Sequence, residues 1–255
     1  GLQALRSIMR EHPVPVVMLS SLTEEGAKET IEALALGAID FVQKPSGPIS
    51  LDIRKVGEQL REKLHMAVRI KPKPIPAWIE PAALPRIGKK AVPVPSGGRT
   101  EPFKHIIAIG TSTGGPRALQ QVIPRFPAHF PAPILVVQHM PPHFTKSLAA
   151  RLDMMSELKV SEAEQDGVIA PGHAYIAPGG WHMTVHCDES GIYRIRLNQD
   201  APGHGHRPAV DVLFESLLPF RSLVRHAVLM TGMGSDGALG MKALHADGAE
   251  STIAE

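Results

Sequence analysis

The sequence predicts an α/β protein built as two doubly wound units joined by a proline-rich linker, the second unit carrying an antiparallel hairpin. Three observations predict it: β/α alternation before about residue 70, its collapse between 71 and 102, and its return from residue 103. Short continuous apolar runs such as "VPVVMLS", "HIIAIG" and "APILVVQH" suit strands covered on both faces, as in parallel sheets. At 255 residues the chain has room for one large or two modest domains, and 43% hydrophobic content is ordinary for a packed core.

In the first region, residues 1–70, "LQALRSIMREH" has helical apolar spacing and "VPVVMLS" reads as a strand. "TEEGAKETIEALALG" follows as a helix with Thr23 as N-cap and Gly37 as its stop. "AIDFVQKP" is a second buried strand, and "SLDIRKVGEQLREKLHMAV" an amphipathic helix. The order α-β-α-β-α implies parallel strands with helices on both faces. Seven prolines between Lys71 and Thr100 remove donors and fix φ, so residues 71–102 form a semi-extended linker. From 103 to 255 the strands are "HIIAIG", "APILVVQH", "HAYIAP", "MTVHC", "YRIRLN" and "HAVLMTG", with "YRIRLN" one arm of a hairpin.

Charge and cysteine usage exclude several function classes. With 27 basic and 25 acidic residues, no global field points to nucleic acid or to a membrane surface. No apolar run approaches the ~20 residues that span a bilayer. Cys187 is the single cysteine, so no internal disulfide forms, which fits a reducing, cytoplasmic compartment. It reads as a small strand residue, because no glycine turn surrounds it. The missing initiator Met and the abrupt "AESTIAE" suggest that both ends are cut.

Chemistry gathers after the three most buried strands. "HIIAIG" runs into Thr111-Ser112-Thr113-Gly114-Gly115, "APILVVQ" into His139, and "HAVLMTG" into Met233-Gly234-Ser235-Asp236-Gly237. Ligands of open parallel sheets sit beyond the carboxyl ends of the strands, so a hydroxyl, an imidazole and a carboxylate meet at one edge. That set makes a nucleophile, its base and the group that orients the base. Gly110 to Gly114 fits G-x-S-x-G, the strained strand-to-helix turn that projects a serine. Other readings stay open: a helix-capping serine, a phosphate nest of backbone amides, a structural His139, and an Asp236 that caps the helix "GALGMKALHA". No nucleotide-binding glycine motif is present. A zinc site recruiting His139, His143, His182, His186, His204 or His206 lacks H-E-x-x-H and any Cys/His ligand set; His182 and His186 share a strand face without a carboxylate ligand, and a solvated rim is expected of that pair.

The blocks "IAIGTSTGGP", "QHMPPHFT", "PGHAYIAPGGWHM", "HRPAVDVLFESL" and "LMTGMGSDGALGMKAL" resemble the catalytic domain of the chemotaxis protein-glutamate methylesterases, the CheB family, over about residues 104–255. The resemblance implies Ser112 as nucleophile, His139 as general base and acid, and Asp236 as the orienting carboxylate. It implies an oxyanion site near Thr113 and the backbone around Met233. It also implies glutamyl methyl esters, with glutamine side chains, of methyl-accepting chemoreceptors as substrate, and no metal or organic cofactor. Residues 1–70 are similar to the second half of a response-regulator receiver domain, with Ser20 at the switch hydroxyl and Lys44-Pro45 at the lysine-proline pair. A histidine kinase is then the phosphodonor of an intact receiver, and the phosphoacceptor aspartate is expected upstream of Gly1. Arg207 is expected to face an acidic partner. The rival reading is a non-catalytic two-component signalling module that binds partners through the same sheet edge.

Overall fold

The computed structural model describes residues 1–21, 23–44, 53–69 and 103–254. Pro45 and the proline-rich residues 71–102 lie outside the described residues. The chain divides into two compact units, residues 1–85 and 86–255.

In the first unit, helix α1 (Leu2–Glu11) leads to strand β1 (Val17–Ser20), helix α2 (Glu24–Ala35), strand β2 (Asp40–Gln43) and helix α3 (Ile53–Arg69). Thr23 caps α2 by accepting from the Gly26 amide at 2.9 Å. The left-handed Gly37, φ 104°, ends the helix, a conformation that costs glycine little. β1 and β2 pair in parallel, Val17 opposite Asp40 through Ser20 opposite Gln43. Beneath the pair, Leu5, Met9, Ile31, Leu34 and Phe41 are buried. Two strands make a narrow sheet, and Leu19 stays half exposed at 52%.

The second unit is organised around six parallel strands in the order β10-β9-β3-β4-β6-β5. They are β3 (His105–Thr111), β4 (Ile134–Gln138), β5 (Lys159–Glu162), β6 (His173–Ile176), β9 (Val224–Leu229) and β10 (Ser251–Ala254). Helices α4 (Gly115–Val122), α5 (Phe144–Met155), α6 (Val210–Glu215) and α7 (Ala238–Ala246) complete the winding, with one 3-10 turn at Ile123–Arg125. All five residues of β4 are buried, as a central strand covered on both faces requires. On one face Ile106, Ala108, Leu135 and Val137 pack with Leu213, Phe214 and Leu217 of α6 and its exit. The hairpin forms a separate antiparallel pair, β7 (His182–Cys187) with β8 (Tyr193–Asn198), and buries Met183, Val185 and Ile195 into the same core.

Every strand read in this region from its apolar run is present. The structure adds β5 "KVSE" and β10 "STIA", which the sequence pattern did not show. Both are four-residue edge strands with partly exposed faces, so neither has an apolar run to find.

Candidate active site

Sheet register builds the site. Thr111 at the end of β3 lies opposite Gln138 at the end of β4, so the next residues, Ser112 and His139, emerge side by side. Pairing continues past the strands: the His139 amide donates to the Thr111 carbonyl at 3.1 Å, and the Ser112 amide to the Thr231 carbonyl at 3.0 Å. Gly114 then adopts φ 79° and α4 begins, a turn suited to glycine. At Gly232 a Cβ would stand 2.8 Å from the Ser112 Cβ, so only glycine lets the two loops approach this closely.

His139 Nδ1 lies 3.2 Å from Ser112 Oγ, and its Nε2 lies 2.7 Å from Asp236 Oδ2. The three side chains are in line, with the imidazole bonded through both nitrogens. For His139 to act as a base, Nε2–H donates to the carboxylate and Nδ1 accepts from the serine hydroxyl. The two nitrogens thus exchange the places they hold in the best-known serine protease arrangement, while the roles remain. Only 7% of the His139 side chain and 2% of the Asp236 side chain are exposed.

Asp236 is anchored by two further donors. Val210 N–H donates to Oδ2 at 2.7 Å and Asp211 N–H to Oδ1 at 3.0 Å, at the N-terminus of α6. Burial alone pushes the Asp236 carboxyl up, but the His139 hydrogen bond and these amides outweigh it and hold the carboxyl below its usual range. It therefore stays ionised to lower pH than a free carboxylate. Asp236 does not cap its own helix, one of the open readings. It caps α6, while Asp211 from α6 accepts from the Gly240 amide of α7 at 2.7 Å. This reciprocal capping locks α6 and α7 together behind the carboxylate.

Gln138 is a positioning residue that the motif reading missed. Its buried amide donates to the Ser112 carbonyl at 2.9 Å and the His139 carbonyl at 3.1 Å, and its Oε1 accepts from Thr111 Oγ1 at 2.7 Å. One side chain ties both reacting loops together. The only signal was its place beside His139 in "QHMPP", where a strand-end glutamine reads as ordinary.

The two oxyanion candidates differ in setting: Thr113 is buried and Met233 is 37% exposed. The Ser112 and Gly115 amides are committed, to the Thr231 and Ser112 carbonyls. Among the described residues, the Thr113 and Met233 amides meet no protein acceptor and are available as donors.

The histidines that a zinc site would recruit lie on β7, after β4, and in the loops before α5 and α6. His182 is buried and not on a solvated rim: Nε2 lies 3.2 Å from the Ala201 carbonyl, and Nδ1 accepts from the Ala209 amide at 3.2 Å. It ties the loop before α6 to the hairpin. His186 remains partly exposed on β7, and His143 sits at φ 71° before α5. His204, Asp211 and Asp236 place ligand atoms within 4.8 Å of one another. Both Asp236 oxygens accept protein donors, and Asp211 Oδ2 lies 3.1 Å from His204 Nε2. Arg207 is not held out toward a partner by its Nη1, which donates to the Gln199 and Asp200 carbonyls at 2.8 and 3.1 Å. Cys187 is exposed at the end of β7.

In the first unit, Ser20 Oγ donates to the Gly26 carbonyl at 3.1 Å and accepts from Thr30 Oγ1 at 2.6 Å. The Lys44 amide donates to the Ser20 carbonyl at 2.7 Å, so the two switch candidates stand at the same strand edge. The Lys44 side chain is exposed.

A hydroxyl, an imidazole and a carboxylate aligned at the carboxyl edge of a doubly wound sheet are the set that hydrolases of the nucleophilic class use. Residues 107–255 match the family described as CheB methylesterase, and the chain belongs to that family. It is 49% identical over 257 residues to the protein-glutamate methylesterase/protein-glutamine glutaminase of Geobacillus kaustophilus, covering all of this chain and 71% of that protein. The protein of the same name from Bacillus subtilis is 43% identical over 260 residues, again with 100% and 71% coverage. Among solved structures, the CheB methylesterase catalytic domain of Thermotoga maritima is 44% identical, with a TM-score of 0.56, covering 60% of this chain and 79% of that one.

Proposed function

We propose that this protein hydrolyses γ-glutamyl methyl esters on chemoreceptors, releasing methanol, and deamidates glutamine side chains by the same chemistry. The observation that carries the reading is the Ser112–His139–Asp236 line, 3.2 and 2.7 Å long, in a chain of the CheB methylesterase family. Ser112 Oγ attacks the ester carbonyl as its proton passes to His139 Nδ1. Asp236 keeps the other imidazole proton on Nε2 and stabilises the cation that forms. The Thr113 and Met233 amides receive the oxyanion, the kind of preorganised contact that supplies much of the rate in acyl transfer. His139 then returns the proton to the departing methoxide, and water repeats the sequence on the acyl-enzyme. With glutamine the leaving group is ammonia, and the acyl-enzyme is the same.

The reading extends to regulation. Ser20 and Lys44 belong to a receiver unit whose phosphodonor is a histidine kinase, and the reaction takes place on the cytoplasmic side of the receptor. Among the described residues no helix is long and apolar enough to cross a membrane. The reaction needs neither metal nor organic cofactor. Methanol release from methylated receptor membranes, before and after exhaustive chelation, tests both points. The rate should persist within twofold after chelation. Loss of activity that zinc restores would move the chemistry to the histidine-rich loops, and no methanol release at all would favour the non-catalytic signalling module.

A further inference from the structure

The loop between β8 and α6 carries a second histidine onto the first. The His206 ring stacks on His139 with centroids 3.9 Å apart and planes 11° from parallel. His139 spends both nitrogens in its own plane, on Ser112 and Asp236. Its remaining surfaces are its two π-faces, and His206 covers one of them. His206 is itself exposed, so it shields His139 from water at the cost of its own burial.

The loop is built to keep that ring in place. His204 and Gly205 have φ values of 49° and 79°, and the His206 amide donates to the Gly203 carbonyl at 2.8 Å, closing a tight turn. His204 takes a φ uncommon for a non-glycine residue, and its Nε2 lies 3.1 Å from Asp211 Oδ2. The Gly180 amide donates to the Arg207 carbonyl at 3.0 Å, and Arg207 itself bonds back to residues 199 and 200. Fixed on both sides, His206 has a defined backbone beneath a ring lying flat on the candidate base.

We propose that His206 is a positioning residue for the reaction: it fixes the plane of His139 and stabilises, through its π-face, the imidazolium that forms as Ser112 attacks. This rests on the Ser112–His139–Asp236 reading. A cation over an aromatic face is attracted by the ring quadrupole, and a contact at this distance is within the effective range. The charge on His139 exists only while the tetrahedral intermediate forms and decays. The contact therefore acts on the transition state more than on the bound ester, and lowers the barrier without tightening ground-state binding. The carboxylates of Asp236 and Asp211 lie outside the stack, so the flat ring of His206 is the feature the inference rests on.

The test compares His206→Phe, His206→Leu, His206→Ala and His206→Arg in the intact protein, with Ser112→Ala as reference. Methanol release gives kcat and KM, and far-UV circular dichroism checks folding. His206→Phe should keep kcat within about threefold of the parent. His206→Leu and His206→Ala should lose roughly tenfold in kcat with KM unchanged, in keeping with one lost cation–π contact. His206→Arg, which sets a second cation against the imidazolium, should lose more. Equal activity of the Phe and Leu variants, or a change confined to KM, would overturn the inference while leaving the triad intact. An active Ser112→Ala protein would remove the triad reading and this inference together.

Discussion

Replacing Ser112 by alanine should abolish methanol release, with a fall in kcat of about 10³-fold or more and no change in far-UV circular dichroism. Removing a nucleophile's oxygen leaves only the background supplied by binding and oxyanion donors, and losses in comparable hydrolases are of that order or larger. The fold should tolerate the change well. Ser112 holds its place through its backbone, with its amide on the Thr231 carbonyl and its carbonyl on Gln138 Nε2, and none of these bonds uses Oγ. What alanine removes is the 3.2 Å contact to His139. Activity within twofold of the parent would end the serine reading.

Asp236→Asn should lower kcat by about 10³- to 10⁴-fold, in line with the loss seen when an orienting carboxylate becomes an amide elsewhere. Asn keeps the volume, yet its NH₂ group cannot accept. With its NH₂ at the Oδ2 place it presents a donor to His139 Nε2, which drives the proton to the wrong nitrogen, and faces the Val210 amide with a second donor; turned over, it sets that donor against the Asp211 amide. The same carboxylate determines the sign of the pH dependence. His139 must be neutral to accept the Ser112 proton, so kcat/KM should fall on acidification. Asp236 is held below the ordinary carboxylate range, so its charge persists to lower pH than that of a free carboxylate. For stability, a depressed carboxyl contributes above its unfolded pKa of about 3.9 and loses the contribution as pH falls through the lower folded value. Acid inactivation should therefore precede acid unfolding at this site, which parallel pH titrations of rate and circular dichroism would measure. A flat rate down to pH 4, with an active Asp236→Asn variant, would contradict the arrangement.

The strands that position the site were legible as short apolar runs, although of the three only β4 is buried along its whole length. "HIIAIG", "APILVVQ" and "HAVLMTG" are such runs, and the residues that follow each are the three that meet. The edge strand β5 was not legible, since the four residues "KVSE" carry too few apolar side chains to show a period. Within the site, residue types that do chemistry stood out and residue types that hold backbone did not. Gln138 acts on two main-chain carbonyls, and no sequence spacing encodes that. The use of His182 as an interior tie, and of His206 as a cover for His139, depends on how the loop 199–209 folds back onto the hairpin. That closure is a tertiary event. Asp236 was found for its charge, but the helix it caps was not the one it precedes, because capping here crosses between α6 and α7.

The proposed chemistry needs an activated hydroxyl at one position among many serines. Labelling the intact protein with a fluorophosphonate and locating the adduct by peptide mass spectrometry measures that activation directly. The predicted result is a single stoichiometric adduct on Ser112, formed at a rate that falls at least a hundredfold in His139→Ala and is lost in Ser112→Ala. An adduct on another residue, or labelling at the same rate without His139, would contradict it.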